Sequence, residues 1–548
     1  MARASRSVSW IGLLALAALC AGLFGYRLGG TGFWTDESIY AQTAREMAGT
    51  GDWITPRLCG SPYLIKPPLY HWLAAVFFHF LGENELAGRL PQVIAGLAAV
   101  LAVASIAGRA FGRGAGLLAG AALATSPGFA VGARVAGMDA LLTSGITLCL
   151  VFFFRGYREP ARRAAWFLAS GFGAGIAALA KGPSGAAIPA LVILVFLIRQ
   201  REIKLAGSNA ALRGAAICLV TAAFWYVPVW IQNGSRFARV FWLKNNLARL
   251  GEPVSDHGGP VTYYLPVFLI AFLPWSFPFA ITAARALTRL VRRAPEAAPD
   301  PLAELAWSWF LAPFVFYSLI ATKLPGYLLP VFPAAAILVA REWDRWRAER
   351  RDRWGKSFAV AAALGAASLP GVALAVPFLL QHRYGIPPGR IWLYPALSFV
   401  FAVAAVFSAL LPRGRLRAAW WVAAAGAFVL GFVRFAIVPA APYESMREMT
   451  RRLLTLRDAG YPVALVGEHL KGTLFYTDCS VPHPREINDL PRPQARGGPV
   501  FCLVKERFRP DLEGWASRGR FTLRTVVSRG PLSLVEISRA SPSAPPDS

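Results

Sequence analysis

Apolar stretches long enough to cross a bilayer recur along most of this chain, and they restrict it to a multi-pass membrane protein. Charged residues make up 16% of the 548 residues, whereas about 25% is usual in soluble proteins. We therefore predict an all-α polytopic membrane domain with about thirteen transmembrane helices. They lie at residues 8–28, 90–110, 114–127, 141–155, 164–180, 183–199, 212–231, 262–284, 303–321, 325–340, 357–379, 392–411 and 418–438.

Basic residues predict the orientation of these helices. Lys and Arg gather in alternate connections, among them residues 155–163, 199–213, 285–293 and 341–356. Membrane proteins keep such residues in cytoplasmic loops. The N-terminus is therefore predicted to be cytoplasmic, with its apolar stretch retained as the first helix rather than cleaved as a signal peptide. The C-terminal part is predicted to be periplasmic, in a bacterial inner membrane.

The net charge of +27 has the same explanation as the loop asymmetry. In a soluble protein such a charge would indicate nucleic acid, but the sequence shows no nucleic-acid-binding motif. We expect a monomer without a nucleic-acid partner.

The composition changes near residue 440. Residues 1–439 form the predicted transmembrane domain, and residues 440–548 form a predicted small α/β domain with a disordered tail. A helix is expected at about 443–459. Strands are expected at 463–467, 473–477, 500–504, 521–527 and 532–537. Because this domain is predicted to face an oxidising compartment, Cys479 and Cys502 are candidates for a disulfide.

The polar connection of residues 29–89 stands out among the loops. Asp36 and Glu37 follow the first predicted span within a few residues, and the segment 38–47 has an apolar side. An amphipathic helix lying in the membrane interface fits this pattern. The two carboxylates either cap the positive start of that helix or serve a transfer reaction beside a low-dielectric cavity.

Lys66 lies later in the same connection, in YLIKPPLYHW. Pro67 and Pro68 stiffen the chain ahead of an apolar, interfacial helix. A lysine fixed there can bind a phosphate as a point charge, or it can extend its amine to lipid head groups. Both alternatives remain open at this point.

The strings WTDESIYAQTAREM, GDWITP, YLIKPPLYHW and LAGRLP resemble the first outer loop of bacterial polyprenyl-phosphate-dependent glycosyltransferases. This superfamily includes the protein O-mannosyltransferases and the lipid A aminoarabinose transferases. The similarity continues in ARVAGMDALL, LAKGP, NNLARLGEPVSDHGGPVTYYLP and TKLPGYLLPVFP. It implies a GT-C fold. It also implies transfer of a sugar from an undecaprenyl-phosphate carrier to an envelope acceptor, which is lipid A, another glycan or a protein.

The resemblance also implies roles for individual residues. Asp36 would be the catalytic carboxylate, and Glu37 would assist or position it. Donor-phosphate binding would fall to Lys66, Arg249 and Tyr327. Further candidates for substrate binding are Asp139, Lys181, His257 and Lys323. Asp139, Lys181 and Lys323 each have an alternative role as a capping or snorkelling residue.

Arg434 is a further candidate on physical grounds. It lies inside the last predicted span, where a charge is usually functional or paired. Because it lies near the outer end of that span, snorkelling to the interface is an equal alternative.

One position departs from the resemblance. In the aminoarabinose transferases a glutamate precedes the loop lysine and joins a histidine at a metal, but here Ile65 occupies that position. His257 alone would be a poor zinc site, because zinc takes three or four protein ligands. We therefore expect neither a metal nor another cofactor. A transporter or flippase of lipid-linked sugars remains the alternative function.

Overall fold

The computed structural model describes residues 7–248, 258–292, 300–348, 353–408, 415–467, 470–484, 486–493 and 498–539. Most of them are helical. The helices of the first half are α1 Trp10–Gly25, α2 Thr35–Thr50, α3 Leu69–Leu81, α4 Glu85–Phe111, α5 Arg113–Ala124, α6 Pro127–Gly132, α7 Asp139–Arg158, α8 Arg163–Lys181, α9 Ser184–Gln200 and α10 Asn209–Phe237. The π-helix Ala238–Leu247 continues α10.

The second half of the membrane domain continues in the same manner. Its helices are α11 Tyr264–Ala271, α12 Ser276–Val291, α13 Pro301–Leu319, α14 Phe332–Ala348, α15 Arg353–Tyr384, α16 Leu393–Phe407 and α17 Arg415–Phe432. Eight helices among the described residues are long and apolar enough to cross a membrane, and five shorter apolar helices accompany them. The multi-pass helical fold is confirmed, and the number of spans remains a prediction.

Two predicted spans are interrupted. The span at 262–284 divides into α11 and α12 near Pro274, which has no amide hydrogen for a continuous helix. The span at 325–340 starts with the 3-10 turn Pro325–Val331 before α14 begins. Both interruptions lie beside the residues of the candidate site.

Glycine lets neighbouring helices approach backbone to backbone. A Cβ on Gly171 of α8 would lie 1.9 Å from the carbonyl oxygen of Gly214 in α10. A Cβ on Gly116 of α5 would lie 2.6 Å from the carbonyl oxygen of Ala104 in α4. Small residues at helix interfaces are typical of membrane bundles, where close packing replaces the hydrophobic effect as the force between helices.

The first outer connection contains the two predicted helices, α2 and α3, joined by a hairpin of β1 Arg57–Leu58 and β2 Ser61–Pro62. The predicted apolar side of α2 is buried, including Ala44 and Met47. Its opposite side is also largely covered, because Gln42 contacts a residue of the C-terminal domain. Helix α2 therefore lies between the membrane helices and that domain.

A buried ion pair fixes the start of α2. The Glu37 side chain is 3% exposed and that of Arg89 is 5% exposed. Arg89 Nε lies 2.8 Å from Glu37 Oε1, and Arg89 Nη2 lies 2.7 Å from Glu37 Oε2. The same guanidinium donates to the carbonyl oxygens of Leu28 and Thr31, at 2.7 and 2.8 Å. One arginine of α4 therefore holds both the end of the α1–α2 connection and the first turn of α2.

The C-terminal domain is built around one mixed sheet. Its strands are β3 Val463–Val466, β4 Val500–Lys505, β5 Phe521–Arg529 and β6 Leu532–Arg539, in the order β3-β4-β6-β5. Strands β3 and β4 are parallel and the other pairs are antiparallel. After the short helix α18 Val438–Glu444, helix α19 Arg447–Asp458 packs on one face. Helix α21 Arg509–Gly519 packs on the other face.

One of the five predicted strands is wrong. Residues 473–477 lie outside the sheet and form the 3-10 turn Leu470–Thr473 followed by the helical turn α20 Leu474–Thr477. Phe475 packs edge-on against Phe33 at a centroid distance of 4.9 Å. Docking against the first connection therefore overrides the β-propensity of this segment. The helix predicted at 443–459 is also divided, into α18 and α19.

The disulfide joins different cysteines from those predicted. Cys479 pairs with Cys59 of the hairpin, 420 residues away in sequence. Cys502 is a buried thiol in β4, where it lies opposite Ala464 and Val535. Its side chain belongs to the core of the sheet, so it cannot reach Cys479. The disulfide ties the first connection to the C-terminal domain.

Removing this disulfide will loosen the contact between the two parts. We expect the Cys59→Ala/Cys479→Ala double variant to lose about 2–5 kcal/mol of stability, the usual loss for a structural disulfide. Thermal unfolding of the purified protein measures the change. Cys218→Ala, which removes a free half-buried thiol, is the control. Equal melting temperatures for the double variant and the wild type would contradict the structural role.

Breaking the Glu37–Arg89 pair will cost more than breaking an exposed pair. In Glu37→Gln the buried guanidinium keeps its charge without a counter-charge, and we expect a loss of about 3–5 kcal/mol. Glu83→Gln is the matched control, because Glu83 pairs with Arg45 but is 49% exposed. Exposed pairs contribute about 0–1 kcal/mol. Denaturant unfolding of both variants tests the difference, and similar losses would refute it.

Candidate active site

Asp36 lies in the first turn of α2 with its carboxylate exposed. Trp34 is the N-cap residue, and its amide donates to Glu37 Oε2 at 2.9 Å. This is the reciprocal half of a capping box, which fixes where the helix begins. Within the described part of the chain, no hydrogen bond or ion pair engages the Asp36 carboxylate. It is therefore open to a ligand, with the positive end of the helix stabilising its charge.

Glu37 has a different role from its neighbour. Besides Arg89 and Trp34, its carboxylate accepts from the amide of Ala136 at 2.7 Å. Each of its two oxygens accepts two hydrogen bonds, so neither oxygen has a lone pair left for a substrate. Of the two predicted roles for Glu37, this geometry favours positioning over participation in the chemistry.

Asp139, Lys181 and Tyr327 come together from three elements. Asp139 begins α7 and forms an ion pair with Lys181 at the end of α8. The Lys181 amine lies 4.7 Å from the centre of the Tyr327 ring. A Cβ on Gly326 would lie 2.5 Å from Asp139 Oδ2, so only glycine lets the 3-10 turn approach this closely. The site thus places a cation and a phenol beside a carboxylate.

Gln92 of α4 holds the start of α7. Its side-chain oxygen accepts from the amides of Ala140 and Leu141, at 3.1 and 3.2 Å. Its amide nitrogen donates to the carbonyl oxygen of Gly137. The turn that presents Asp139 is therefore fixed by the same helix that carries Arg89.

Two contacts join the Asp36 turn to the Asp139 turn. One is the hydrogen bond from Ala136 to Glu37. The other involves Tyr40, which lies one helical turn after Asp36 on the same face of α2. A Cβ on Gly137 would lie 3.9 Å from the Tyr40 ring. The turn that carries Asp36 and the turn that leads into Asp139 are therefore neighbours.

Lys66 lies just before α3, in a segment held against α2. The amide of Tyr63 donates to the carbonyl oxygen of Pro56 at 2.7 Å and fixes the exit from the hairpin. At the start of α3, Nδ1 of the buried His71 lies 3.2 Å from the carbonyl oxygen of Tyr40. These contacts hold the segment that carries the half-buried Lys66 against α2, the helix that carries Asp36.

Lys323 has a structural role. Its amine donates to the carbonyl oxygens of Tyr317, Ser318 and Ile320, at 3.2, 2.6 and 2.5 Å. An ammonium group has three donors, and a cation is favourable at the C-terminal end of a helix such as α13. Burial lowers the pKa of this amine. The geometry favours the capping alternative over substrate binding.

The described contacts do not link the remaining candidates to Asp36 or to the Asp139–Lys181 pair. Arg434 is exposed in the π-helical turn Val433–Ile437, with its guanidinium 5.4 Å from the Phe435 ring, and its role remains a prediction. Arg249 and His257 lie outside the described residues, and their roles remain predictions. The π-helix that leads towards Arg249 approaches the Lys181 turn, where a Cβ on Gly182 would lie 3.4 Å from Asn246 Oδ1.

Possible metal ligands cluster elsewhere in the described ranges. Glu46, Cys59 and Cys479 form a close group, but both thiols are used in the disulfide. Ile65 beside Lys66 offers no ligand atom. That the protein needs no metal or other cofactor remains a prediction.

An apolar cavity of about 410 Å³ adjoins Asp139. Residues of α6, α11 and the 3-10 turn Pro325–Val331 form most of its wall, and Asp139 is the one charged residue among the described residues that line it. A cavity with this lining suits a hydrocarbon chain whose polar end reaches the Asp139–Lys181 pair.

Sequence reasoning missed two residues that shape this site. Arg89 had a signal, because an arginine in an apolar helix requires a buried partner. Tyr476 contacts the amide of Phe33 ahead of α2. The sequence contains no signal for this role, because the segment around Tyr476 has the composition of a strand.

Comparison with known proteins gives the relatives of this chain. The family model of dolichyl-phosphate-mannose-protein mannosyltransferases matches residues 65–227. An undecaprenyl phosphate-alpha-4-amino-4-deoxy-L-arabinose arabinosyl transferase of Pseudomonas aeruginosa strain UCBPP-PA14 is 30% identical over 452 residues, which are 80% of this chain and 76% of the relative. A protein of the same name from Pseudomonas paraeruginosa is 30% identical, covering 80% of this chain and 75% of the relative.

Solved structures agree on the fold. ArnT from Cupriavidus metallidurans bound to undecaprenyl phosphate has a TM-score of 0.75 and 25% identity, covering 96% of this chain and 98% of that one. The oligosaccharyltransferase of Archaeoglobus fulgidus in its apo form has a TM-score of 0.52 and 12% identity, covering 91% of this chain and 69% of that one. The similarity to ArnT thus extends over both domains.

The relatives are enzymes, as the sequence predicted, and the transporter alternative has no support among them. The helical membrane domain, the small C-terminal sheet and the long match to the Pseudomonas enzymes lead to one assignment. The chain is a membrane glycosyltransferase with the GT-C fold, and it belongs to the family of the undecaprenyl phosphate-aminoarabinose arabinosyl transferases.

Proposed function

We propose that this enzyme transfers 4-amino-4-deoxy-L-arabinose from undecaprenyl phosphate to lipid A at the periplasmic face of the inner membrane. The observation that carries the proposal is the exposed Asp36 carboxylate, which has no partner among the described residues and whose helix turn adjoins the Asp139–Lys181–Tyr327 group. The names of the relatives supply the sugar and its carrier. The sequence resemblance supplies the acceptor.

The reaction needs an acceptor oxygen, a proton acceptor and a group that stabilises the leaving phosphate. The acceptor oxygen attacks the anomeric carbon, and the bond from that carbon to the carrier phosphate breaks. The phosphate leaves with the electron pair. Asp36 takes the proton of the acceptor oxygen. Lys66, Arg249 and Tyr327 stabilise the charge that grows on the phosphate.

Lys181 is placed to take part in carrier binding. Its amine faces the Tyr327 ring, so a phosphate bound to the Tyr327 hydroxyl would share the lysine with Asp139. Asp139 then orients Lys181 before the carrier arrives. The apolar cavity beside Asp139 offers space for part of the isoprenoid chain.

The disulfide supports the predicted topology. It links the first connection to the C-terminal domain, so both lie on one side of the membrane. A disulfide is expected in the periplasm rather than in the cytoplasm. An odd number of spans, as in the predicted thirteen, likewise puts the first outer loop and the C-terminal domain on the same side.

Loss of the Asp36 carboxylate should abolish transfer. We expect Asp36→Asn to lower turnover by at least about 100-fold, the lower range for a positioned acid or base, without loss of folded protein. The assay supplies undecaprenyl phosphate-linked 4-amino-4-deoxy-L-arabinose and lipid A to the purified enzyme, and mass spectrometry detects the product. Asp458→Asn removes an exposed carboxylate outside the site and serves as the control.

Full activity of Asp36→Asn would refute the assignment of Asp36. A wild-type protein that moves the lipid-linked sugar across liposomes without cleaving it would favour a transporter. Lipid A and envelope proteins can also be compared between the wild type and a deletion strain. If the deletion changes the envelope proteins and not lipid A, the acceptor is a protein.

Loss of the Lys66 charge should weaken stabilisation of the transition state. We expect Lys66→Met to raise the barrier by about 2–4 kcal/mol, seen as a fall in kcat/KM of about 30- to 1000-fold. Lys471→Met, in the C-terminal domain, is the control for loss of a lysine elsewhere. Equal kcat/KM values for Lys66→Met and the wild type would remove Lys66 from the phosphate site.

A further inference from the structure

Residues 473–479 of the C-terminal domain, here named the docking segment, lie against α2 rather than in the sheet. The amide of Phe475 donates to Ser38 Oγ at 3.1 Å, and Arg45 Nη1 donates to the carbonyl oxygen of Phe475 at 2.6 Å. Gln42 donates to Asp478 at 2.8 Å. With the disulfide at its end, the segment follows α2 along several turns.

The most informative contact of the docking segment is made by Tyr476. Its hydroxyl oxygen accepts from the amide of Phe33 at 2.6 Å. The same hydroxyl donates to Glu85 Oε1 at 3.0 Å. Glu85 also pairs with Arg447 of α19, at 2.9 Å. One element of the C-terminal domain therefore contacts the backbone three residues before Asp36, and a second element, α19, holds the Glu85 carboxylate that accepts from Tyr476.

The protonation of Tyr476 suits this arrangement. Burial, reinforced by the nearby Glu85 carboxylate, raises the pKa of the Tyr476 hydroxyl far above its usual value. The hydroxyl therefore keeps its proton, which it directs to Glu85. Its lone pairs stay available to the Phe33 amide.

The Asp36 turn is thus held from two sides by consecutive amides. The amide of Trp34 is held by Glu37 and, through it, by Arg89 of the membrane domain. The amide of Phe33 is held by Tyr476 of the C-terminal domain. The Phe33 ring packs edge-on against Phe475, which limits rotation of this stretch. The carboxylate of Asp36 itself has no fixing contact within the described chain, so its position depends on this backbone.

We propose that Tyr476 is a positioning residue for Asp36, so that the C-terminal domain forms part of the catalytic unit. The inference rests on the proposed function, since the chemistry there is assigned to Asp36. A displacement of about 1 Å at a catalytic group lowers rates strongly. Removing the hydroxyl frees the Phe33 amide and lets the Asp36 turn move while the aromatic packing stays in place.

The test is Tyr476→Phe in the full-length enzyme. We expect kcat to fall about tenfold, the effect of one lost hydrogen bond, while the KM for the undecaprenyl phosphate-linked sugar stays within about twofold. Hydrogen–deuterium exchange should rise in peptides that contain Phe33. Tyr461→Phe is the matched control: Tyr461 lies in the same domain, is 38% exposed and packs on the Phe501 ring. It should change neither kcat nor exchange.

The outcomes separate positioning from a merely structural role. Faster exchange with unchanged kcat overturns the inference, and so does a lower kcat with unchanged exchange. A loss of melting temperature with a proportional rise in KM also overturns it, because that pattern reports general unfolding. If the wild-type enzyme transfers no sugar, the proposed function fails instead. The hydrogen–deuterium exchange measurement then tests only the hydrogen bond between Tyr476 and the Phe33 amide. Unchanged exchange would overturn that hydrogen bond.

Discussion

The Glu37–Arg89 pair is the interaction on which the rest of the site depends. Two buried charges are stable in an apolar surrounding only when each is fully satisfied by partners. Here both Glu37 oxygens and the Arg89 guanidinium are used to join the α1–α2 connection, α2, α4 and the turn before α7. The neighbouring residue, Asp36, is left exposed on a turn that cannot move freely. A fully hydrogen-bonded carboxylate and an exposed one thus stand side by side in different environments.

The sequence predicted what depends on local chemistry. Long apolar runs and alternating basic loops were enough for the helical membrane domain. The acidic start of α2 and the candidates Asp139, Lys181 and Tyr327 came from motifs, and the structure brings the last three together. Lys323 shows the limit of such reasoning, because a lysine that caps a helix and one that binds phosphate have the same local sequence.

What the sequence could not predict depends on contacts between distant segments. The pairing of Cys59 with Cys479 requires the C-terminal domain to lie on the hairpin, and no local pattern contains that information. The segment around Phe475 has strand-like composition, yet it is helical because it is docked against Phe33 and Phe78. The same docking covers α2, which the sequence predicted to be an interfacial helix with a free polar side.

The order of synthesis affects when the disulfide between these two distant cysteines can form. In the proposed topology Cys59 is exported with the first loop, whereas Cys479 is made 420 residues later. At about 5–20 residues per second, this delay is on the order of 20–80 s. During that time the hairpin thiol has no native partner, and the turn with Asp36 lacks the hydroxyl of Tyr476. The loop that carries Asp36, although almost the first part of the enzyme to be made, is therefore among the last to reach its final form.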